Sequence, residues 1–231
     1  MDAGKLAADC GLYLESLKLA GVEYVARFER PANFAAPGPS AVADEVAKPV
    51  DPRALNLIAT EAIASKCKKC KALFSTRSRV VFGEGPLDAK LFVIGEGPSS
   101  EDDLAGKPFQ GKIGELLDNI LKKLGLDRSE VYFTTAIKCK TAGGRLPKAD
   151  ECANCSEYLE AQLREVKPKA IAAFGATAGL LLTGDGVLKE WNGIPAIATL
   201  SLAYLLANEK ARIGAWADLR LLLPALASGP A

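Results

Sequence analysis

Four cysteines are the residues whose types and spacing point most directly to chemistry. Cys67 and Cys70 form a C-x-x-C pair flanked by lysines, and Cys139 and Cys155 follow far downstream. This separation is too long for a zinc finger, whose ligands come from two nearby knuckles. Thiolates from such distant segments can still clamp one metal centre, either a [4Fe-4S] cluster or structural zinc. Reduced buried thiols without a metal are the remaining interpretation.

The second informative feature is that the 231 residues include no histidine. Imidazole is the side chain that most often serves as general base, proton shuttle and metal ligand near neutral pH. Every mechanism that relies on it is excluded, and with it the serine, cysteine and zinc hydrolases that need histidine.

The composition, 49% hydrophobic and 25% charged, is typical of a globular protein with one main domain. A net charge of +1 provides no global field for nucleic acid, so any such binding must come from local patches. The apolar runs fall short of the roughly 20 residues that a membrane span requires. The first residues also lack a signal-peptide layout. We therefore expect a cytoplasmic protein, in which clustered cysteines stay reduced and bind metals.

The elements that must position these residues follow from the apolar pattern. Residues 1–30 predict a short N-terminal helical extension, and residues 31–52, rich in proline and alanine, predict a linker. Residues 53–231 form the main domain, in which predicted helices and strands alternate. The predicted strands are 79–82, 89–94, 131–137, 170–174 and 195–200, and the predicted helices are 55–65, 113–124, 149–166, 176–182 and 207–223.

This alternation predicts an α/β fold with a mainly parallel sheet, whose ligand sites lie in loops at the carboxyl ends of the strands. One such loop is Gly95-Glu96-Gly97-Pro98, where two glycines let a flat ligand approach the backbone closely. A plain strand-to-helix turn would look similar. Phe109 stands between small and polar residues, as expected for a ring that stacks on a planar group. A position in the core is the alternative for this ring.

These motifs, in this order and with these cysteines, resemble the family 4 uracil-DNA glycosylases over about residues 63–223. The family motif G-E-[AG]-P-G is matched by Gly95-Glu96-Gly97-Pro98, with Ser99 replacing the last glycine and an acidic run, Glu101-Asp102-Asp103, after it. The motif G-[RK]-P-F-[VQ]-G is matched by residues 106–111, which include Phe109.

The resemblance implies a three-layer α/β/α fold around a central, mainly parallel four-stranded sheet. It also implies a [4Fe-4S] cluster held by the four cysteines Cys67, Cys70, Cys139 and Cys155, whose spacing matches the family's ligands. Cys10 and Cys152 have no counterpart in the family. We accordingly expect that neither is needed for the cluster.

Three polar positions depart from the family pattern. The asparagine that reads the uracil edge is Thr135 here, and a second asparagine is Gly144. The histidine that stabilises charge on the departing base is Ser201. Losing a strong donor to a developing oxyanion costs about 2.7 to 4 kcal/mol.

The function implied is that of a DNA repair glycosylase, which flips uracil or another deaminated base from DNA and hydrolyses its N-glycosidic bond. The alternatives are a catalytically degenerate module that binds DNA or a protein partner, and a redox-sensing iron-sulfur protein. Carried over by position, the predicted catalytic residues are Glu96, Asp102 and Ser201, and the predicted base-binding residues are Gly95, Gly97, Pro98, Phe109 and Thr135.

Basic residues near the cysteines predict a local patch for DNA phosphates, although a solvated basic surface is the alternative. They are Lys66, Lys68, Lys69, Lys71, Arg77, Arg79, Lys138, Lys140, Arg145 and Lys148. We expect a monomer, with the N-terminal helix available to a protein partner.

Overall fold

The computed structural model describes residues 50–182 and 187–227. The predicted N-terminal helix, Cys10 and nearly all of the predicted linker lie outside the described residues. The division of the chain into an extension, a linker and a main domain therefore stays a prediction.

A single sheet of five strands in the order β2-β1-β3-β5-β4 forms the centre of the fold. Four strands run parallel, and β4 pairs antiparallel with β5 at one edge. The predicted α/β class is confirmed, with one strand more than the expected four. The strands are β1 (Leu91–Gly95), β2 (Val131–Thr135), β3 (Ala170–Phe174), β4 (Leu188–Trp191) and β5 (Ile194–Thr199).

Helices cover both faces of this sheet and make the three layers. Among the described residues they are α1 (Pro52–Ser65), α2 (Lys71–Phe74), α3 (Ser100–Ala105), α4 (Gly111–Leu124), α5 (Ala149–Val166), α6 (Ala176–Gly179), α7 (Leu202–Ala207), α8 (Arg212–Arg220) and α9 (Leu223–Ala227). No helix in this part of the chain is long and apolar enough to cross a membrane.

The core lies in two layers because successive strand residues point to opposite faces of the sheet. Leu91 and Val93 pack with α4, α7 and α8, whereas Phe92 and Ile94 pack with α5 and α6. Every residue of β1, β2 and β3 is buried, as in a parallel sheet covered on both sides. The carboxyl ends of β1, β2, β3 and β5 consequently share one edge of the sheet.

Two predicted elements differ in the structure. Residues 79–82 are not a strand: the Val81 N–H donates to the Lys138 carbonyl (2.9 Å), and pairing is confined to one bridge between Glu84 and Phe133. The helix predicted over 207–223 is divided, because Asn208 adopts a non-helical conformation (φ −128°, ψ 87°) after α7. A separate short helix, α7, begins directly after Ser201, which caps it.

Candidate functional site

A cavity of about 260 Å³ opens at the shared edge of the sheet, where the predicted loops meet. All predicted site residues other than the cysteines and Thr135 line it: Gly95, Glu96, Gly97, Pro98, Asp102, Phe109 and Ser201. Parallel strands bring these residues together from loops far apart in the chain.

Phe109 belongs to both the cavity wall and the core. Its ring meets Phe133 edge to face, with 6.0 Å between the ring centroids, and only 6% of the residue is exposed. Two glycines make room for it: a Cβ on Gly95 would lie 2.9 Å from the ring, and one on Gly114 would collide with the Phe109 carbonyl oxygen. Phe109 itself has a left-handed backbone (φ 55°), which costs energy in a bulky residue.

Asp102 fixes two of the loops that border the cavity. One carboxylate oxygen accepts the Gln110 N–H (2.7 Å) and the other accepts the Ser99 N–H (2.9 Å). The Ser99 hydroxyl accepts the Asp102 N–H in return, which completes a capping box at the start of α3. The sequence predicts a catalytic role for Asp102, but this geometry makes it an anchor of the Ser99 and Gln110 loops.

Glu96 is the carboxylate that remains available to a ligand. Its side chain lies over Gly175, where a Cβ would collide with the Glu96 carboxyl carbon. One carboxylate oxygen accepts the Thr177 N–H at the start of α6 (3.2 Å). Among the described residues, the other oxygen accepts no hydrogen bond. Glu96 is thus held rigidly with one oxygen unused.

Ser201 and Thr135, which replace the family's histidine and asparagine, differ in what their hydroxyls do. Ser201 caps α7 by accepting the Tyr204 N–H (3.3 Å), so its own proton remains available to the cavity. Thr135 is buried, and its hydroxyl donates to the Ile137 carbonyl (2.7 Å). Direct contact of the Thr135 hydroxyl with a base, as predicted, is therefore not supported.

Sequence reasoning missed several residues that line the cavity. Phe174 ends β3, and Leu146 and Pro147 follow the segment that replaces the family's second asparagine. Ligand contacts are expected at the ends of buried parallel strands, so the position of Phe174 at the end of β3 could have identified it as a lining residue.

The four predicted metal ligands lie close together in one group of packed side chains, called the cysteine cluster below. Cys139 and Cys155 are its buried members, and Cys67 and Cys70 are partly buried. Burial raises the pKa of the Cys139 thiol and raises that of Cys155 to about 11. Within the described residues, no group of three or more His, Cys, Asp or Glu side chains is arranged to hold a metal ion.

Two of these four sulfurs nevertheless meet a hydrogen-bond donor. An Arg77 guanidinium nitrogen lies 2.9 Å from the Cys139 sulfur, and the Asn154 amide nitrogen lies 3.5 Å from that of Cys70. Burial, together with the neighbouring Cys67, raises the pKa of the Tyr158 hydroxyl, and the Lys138 main chain partly offsets the effect of burial on the pKa of Cys155. In the part of the chain that the structure describes, Cys152 receives no such bond. Since a neutral thiol is a weak acceptor, these donors are placed to serve thiolates.

Lys138 does not belong to the basic surface on which it was predicted. It is buried, and its ammonium donates to the Thr134 hydroxyl (2.5 Å), the Thr135 carbonyl (2.8 Å) and the Gln162 side chain (2.7 Å). Burial lowers its pKa to about 7. The amine joins β2 to α5 and is not available to DNA.

Basic side chains nevertheless surround the cysteine cluster. Lys69 is paired with Glu157 (2.8 Å), and Arg145 is paired with the buried Glu151. Exposed basic residues in this region are Lys66, Lys68, Lys71, Arg79 and Lys148. A local positive surface thus remains around the cysteine cluster, although three of its predicted members, Lys69, Lys140 and Arg145, are paired with carboxylates.

Comparison with known proteins agrees with the motifs. The model of the uracil DNA glycosylase superfamily matches residues 82–220. The type-4 uracil-DNA glycosylase of Thermotoga maritima is 41% identical over 161 residues, which cover 64% of this chain and 83% of that protein. That of Saccharolobus solfataricus is 41% identical over 122 residues, covering 52% of this chain and 55% of that protein. A type-5 uracil-DNA glycosylase of Pyrobaculum aerophilum is 29% identical over 144 residues, covering 48% and 62% respectively.

Proposed function

Since the chain belongs to the type-4 uracil-DNA glycosylases, we propose that it flips uracil or another deaminated base from DNA and hydrolyses its N-glycosidic bond. The observation that carries this proposal is the cavity that unites Glu96, Phe109 and Ser201 at the strand ends. A flipped base needs a ring to stack on, donors for its oxygens and a group that tolerates positive charge on the sugar.

The cavity supplies each of these three requirements. Phe109 offers a fixed aromatic face, held by its contact with Phe133. The free hydroxyl proton of Ser201 donates to a carbonyl oxygen of the base as negative charge develops there. The unused oxygen of Glu96 steadies the cationic sugar or orients the attacking water. The amino-terminal end of α6 keeps Glu96 in place through the Thr177 N–H.

A [4Fe-4S] cluster held by Cys67, Cys70, Cys139 and Cys155 is the second part of the proposal. The donors at Cys139 and Cys70, with Tyr158 and the Lys138 main chain near Cys67 and Cys155, support it, because hydrogen bonds to ligating sulfurs stabilise thiolate charge. A cluster does not require side chains that converge on one ion, because its four thiolates bind different irons. When bound, the cluster would supply iron-thiolate bonds that crosslink the chain.

The exposed lysines and Arg79 around the cysteine cluster would meet DNA phosphates on either side of the flipped nucleotide. Cytoplasmic location, a monomeric state and a protein partner at the N-terminal helix stay predictions.

The direct test is release of free uracil from a uracil-containing oligonucleotide, measured by chromatography. We expect the wild type to release it, and Glu96→Gln to reduce the rate by about 10² because a positioned carboxylate contributes of that order. Glutamine keeps an oxygen for the Thr177 N–H, so the fold should be unaffected.

The matched control is Glu160→Gln, which removes a carboxylate from the exposed side of α5. This variant should retain the wild-type rate. If the wild type binds the oligonucleotide but releases no base, the degenerate DNA-binding module becomes the better assignment.

Phe109→Leu should weaken binding of the extruded base by about 1 to 3 kcal/mol, the usual contribution of a base stacked on an aromatic ring. Leucine keeps apolar volume in the core, so the change mainly removes the planar face. The control Phe92→Leu alters a buried ring on the opposite face of the sheet. Affinity for a uracil-bearing duplex measures both; equal affinities of all three proteins would exclude Phe109 as the stacking platform.

A further inference from the structure

A second cavity, of about 430 Å³, lies between α4, α7 and α8 on the face of the sheet that these helices cover; it is called the α4–α8 groove below. It shares no lining residue with the cavity at the strand ends. Its walls include Ile120 on α4 and Trp216 on α8, both partly exposed. Its floor consists of buried core residues: Leu116, Leu205, Ala215 and Leu219.

The two walls of the α4–α8 groove have the same helical spacing. Apart from Lys122, the lining residues of α4 are at positions 116, 119, 120 and 123, and those of α8 are at positions 212, 215, 216 and 219. Both sets follow i, i+3, i+4 and i+7, which places each set in a row along one side of its helix. Each row is about 10 Å long, because every residue rises 1.5 Å. A groove between two such rows fits a third helix that contributes about two turns.

The rim of the groove is positively charged. Lys122 and Lys123 are exposed in the last turn of α4 and form no ion pair with any described carboxylate. Arg212 adds a third cation, which donates to the Leu205 carbonyl (2.8 Å) and to the exposed Glu209 (3.2 Å). Of the described residues that line the groove, none is acidic.

The acidic residues of α4 and α8 face other groups. Asp118 is paired with Arg128 (2.7 Å), and Asp218 accepts the Thr199 hydroxyl (2.6 Å). Glu115 borders a different depression, which Arg128 also lines. Lysines at the end of a helix complement its dipole, but the dipole does not account for the exposed apolar walls beside them. The groove therefore combines an apolar floor with an unneutralised basic rim.

We propose that the α4–α8 groove binds an acidic amphipathic helix of a protein partner. Apolar side chains at i, i+3 or i+4 and i+7 of that helix pack on Ile120 and Trp216, and its carboxylates meet Lys122 and Lys123. The Trp216 indole N–H, which has no acceptor among the described residues, offers one more donor. Duplex DNA fits less well, because the phosphates and sugars of its backbone would leave the apolar floor uncovered.

A partner in the groove leaves the glycosylase site open. The helix α4 begins at Gly111, close to Phe109, whereas Lys123 lies about 18 Å further along the helix. The cysteine cluster includes Cys155 of α5, which packs on the other face of the sheet. DNA and the partner can therefore be bound at the same time. The proposal goes beyond the glycosylase function and does not depend on it.

The test selects binders of the full chain from a phage-displayed library of helix-forming peptides of about 18 residues, or five turns. We expect the selected peptides to carry an excess of Glu and Asp, with apolar residues at i, i+3 or i+4 and i+7. The affinity of a selected peptide is then measured by fluorescence polarisation. Lys122→Glu/Lys123→Glu, which changes only exposed side chains, should weaken binding about tenfold because two ion pairs become repulsive contacts. Trp216→Ala should weaken it about 30-fold, as the loss of a central aromatic anchor does.

Lys66→Glu/Lys71→Glu is the matched control, because it makes the same charge change on exposed lysines beside the cysteine cluster. This control should bind the peptide as the wild type does. Equal affinity of the wild type and the Lys122→Glu/Lys123→Glu variant would overturn the proposal, as would a selection that yields no binder or no acidic excess. Displacement of the peptide by a uracil-free duplex would assign the groove to nucleic acid instead. A wild-type dimer that Trp216→Ala dissociates in sedimentation would assign it to a second copy of this chain.

Discussion

Cys139→Ala is expected to abolish the broad visible absorption of iron-sulfur charge transfer and to lower the free energy of unfolding by several kcal/mol. Binding free energy at a structural metal site is folding free energy, and it reaches about 10 kcal/mol in small zinc domains. Cys67 and Cys70 lie between α1 and α2, Cys139 follows β2, and Cys155 belongs to α5. Removing one ligand therefore loosens three segments together.

Cys152→Ala is the matched control, because Cys152 lies one helical turn before Cys155 on α5. It packs against the cysteine cluster but receives no donor in the described part of the chain. Absorption and stability should stay at wild-type values, and Cys10→Ala should behave in the same way. The measurements are the visible spectrum after anaerobic purification and the denaturant midpoint. A colourless, zinc-loaded wild type would contradict the cluster.

The fold was predictable because buried parallel strands leave a distinctive apolar pattern. The uninterrupted apolar run 170–174 is typical of a strand covered on both faces of a sheet, and all five of its residues are buried in the structure. The error at residues 79–82 has a physical cause that local sequence does not contain. The buried Asp103 carboxylate accepts the backbone N–H groups of Ser78 and Arg79, which fixes this segment away from a ladder. The short edge strand β4 alternates exposed and half-buried residues and shows no such apolar run.

The candidate site, like the fold, was predictable where local sequence determines the structure and was not predictable where contacts between distant residues determine it. Motif positions predicted that Glu96, Phe109 and Ser201 meet, because the ends of parallel strands converge. The partners of the polar atoms were not predictable: Asp102 accepts the distant Gln110 N–H, and Lys138 finds Gln162 on another element. Such long-range bonds decide which polar groups remain available for chemistry.

The largest gain is expected from returning a strong donor to position 201. Ser201→His should raise uracil release by about 10², since a donor aimed at the leaving base contributes on the order of 10² to 10³. The variant also removes the cap on α7, which costs about 1 kcal/mol of stability. Rate and unfolding midpoint should therefore be measured together.

A second donor, combined with Ser201→His, is better introduced at Gly144 than at Thr135. Thr135 is buried and its hydroxyl is bonded to Ile137, whereas Gly144 lines the cavity, and a Cβ added there would meet no atom within 4 Å. Gly144 has a left-handed backbone (φ 68°), which asparagine tolerates better than most residues. Gly144→Asn should accordingly fold normally and add an amide facing the base.

The double variant should release uracil faster than the product of the two single effects, because both donors act on one developing anion and such neighbours couple. A coupling free energy near zero would mean that the two groups do not face the same base. If neither single nor double variant exceeds the wild type, the cavity has been rebuilt for a ligand other than uracil, and the DNA-binding module without glycosylase activity becomes the better assignment.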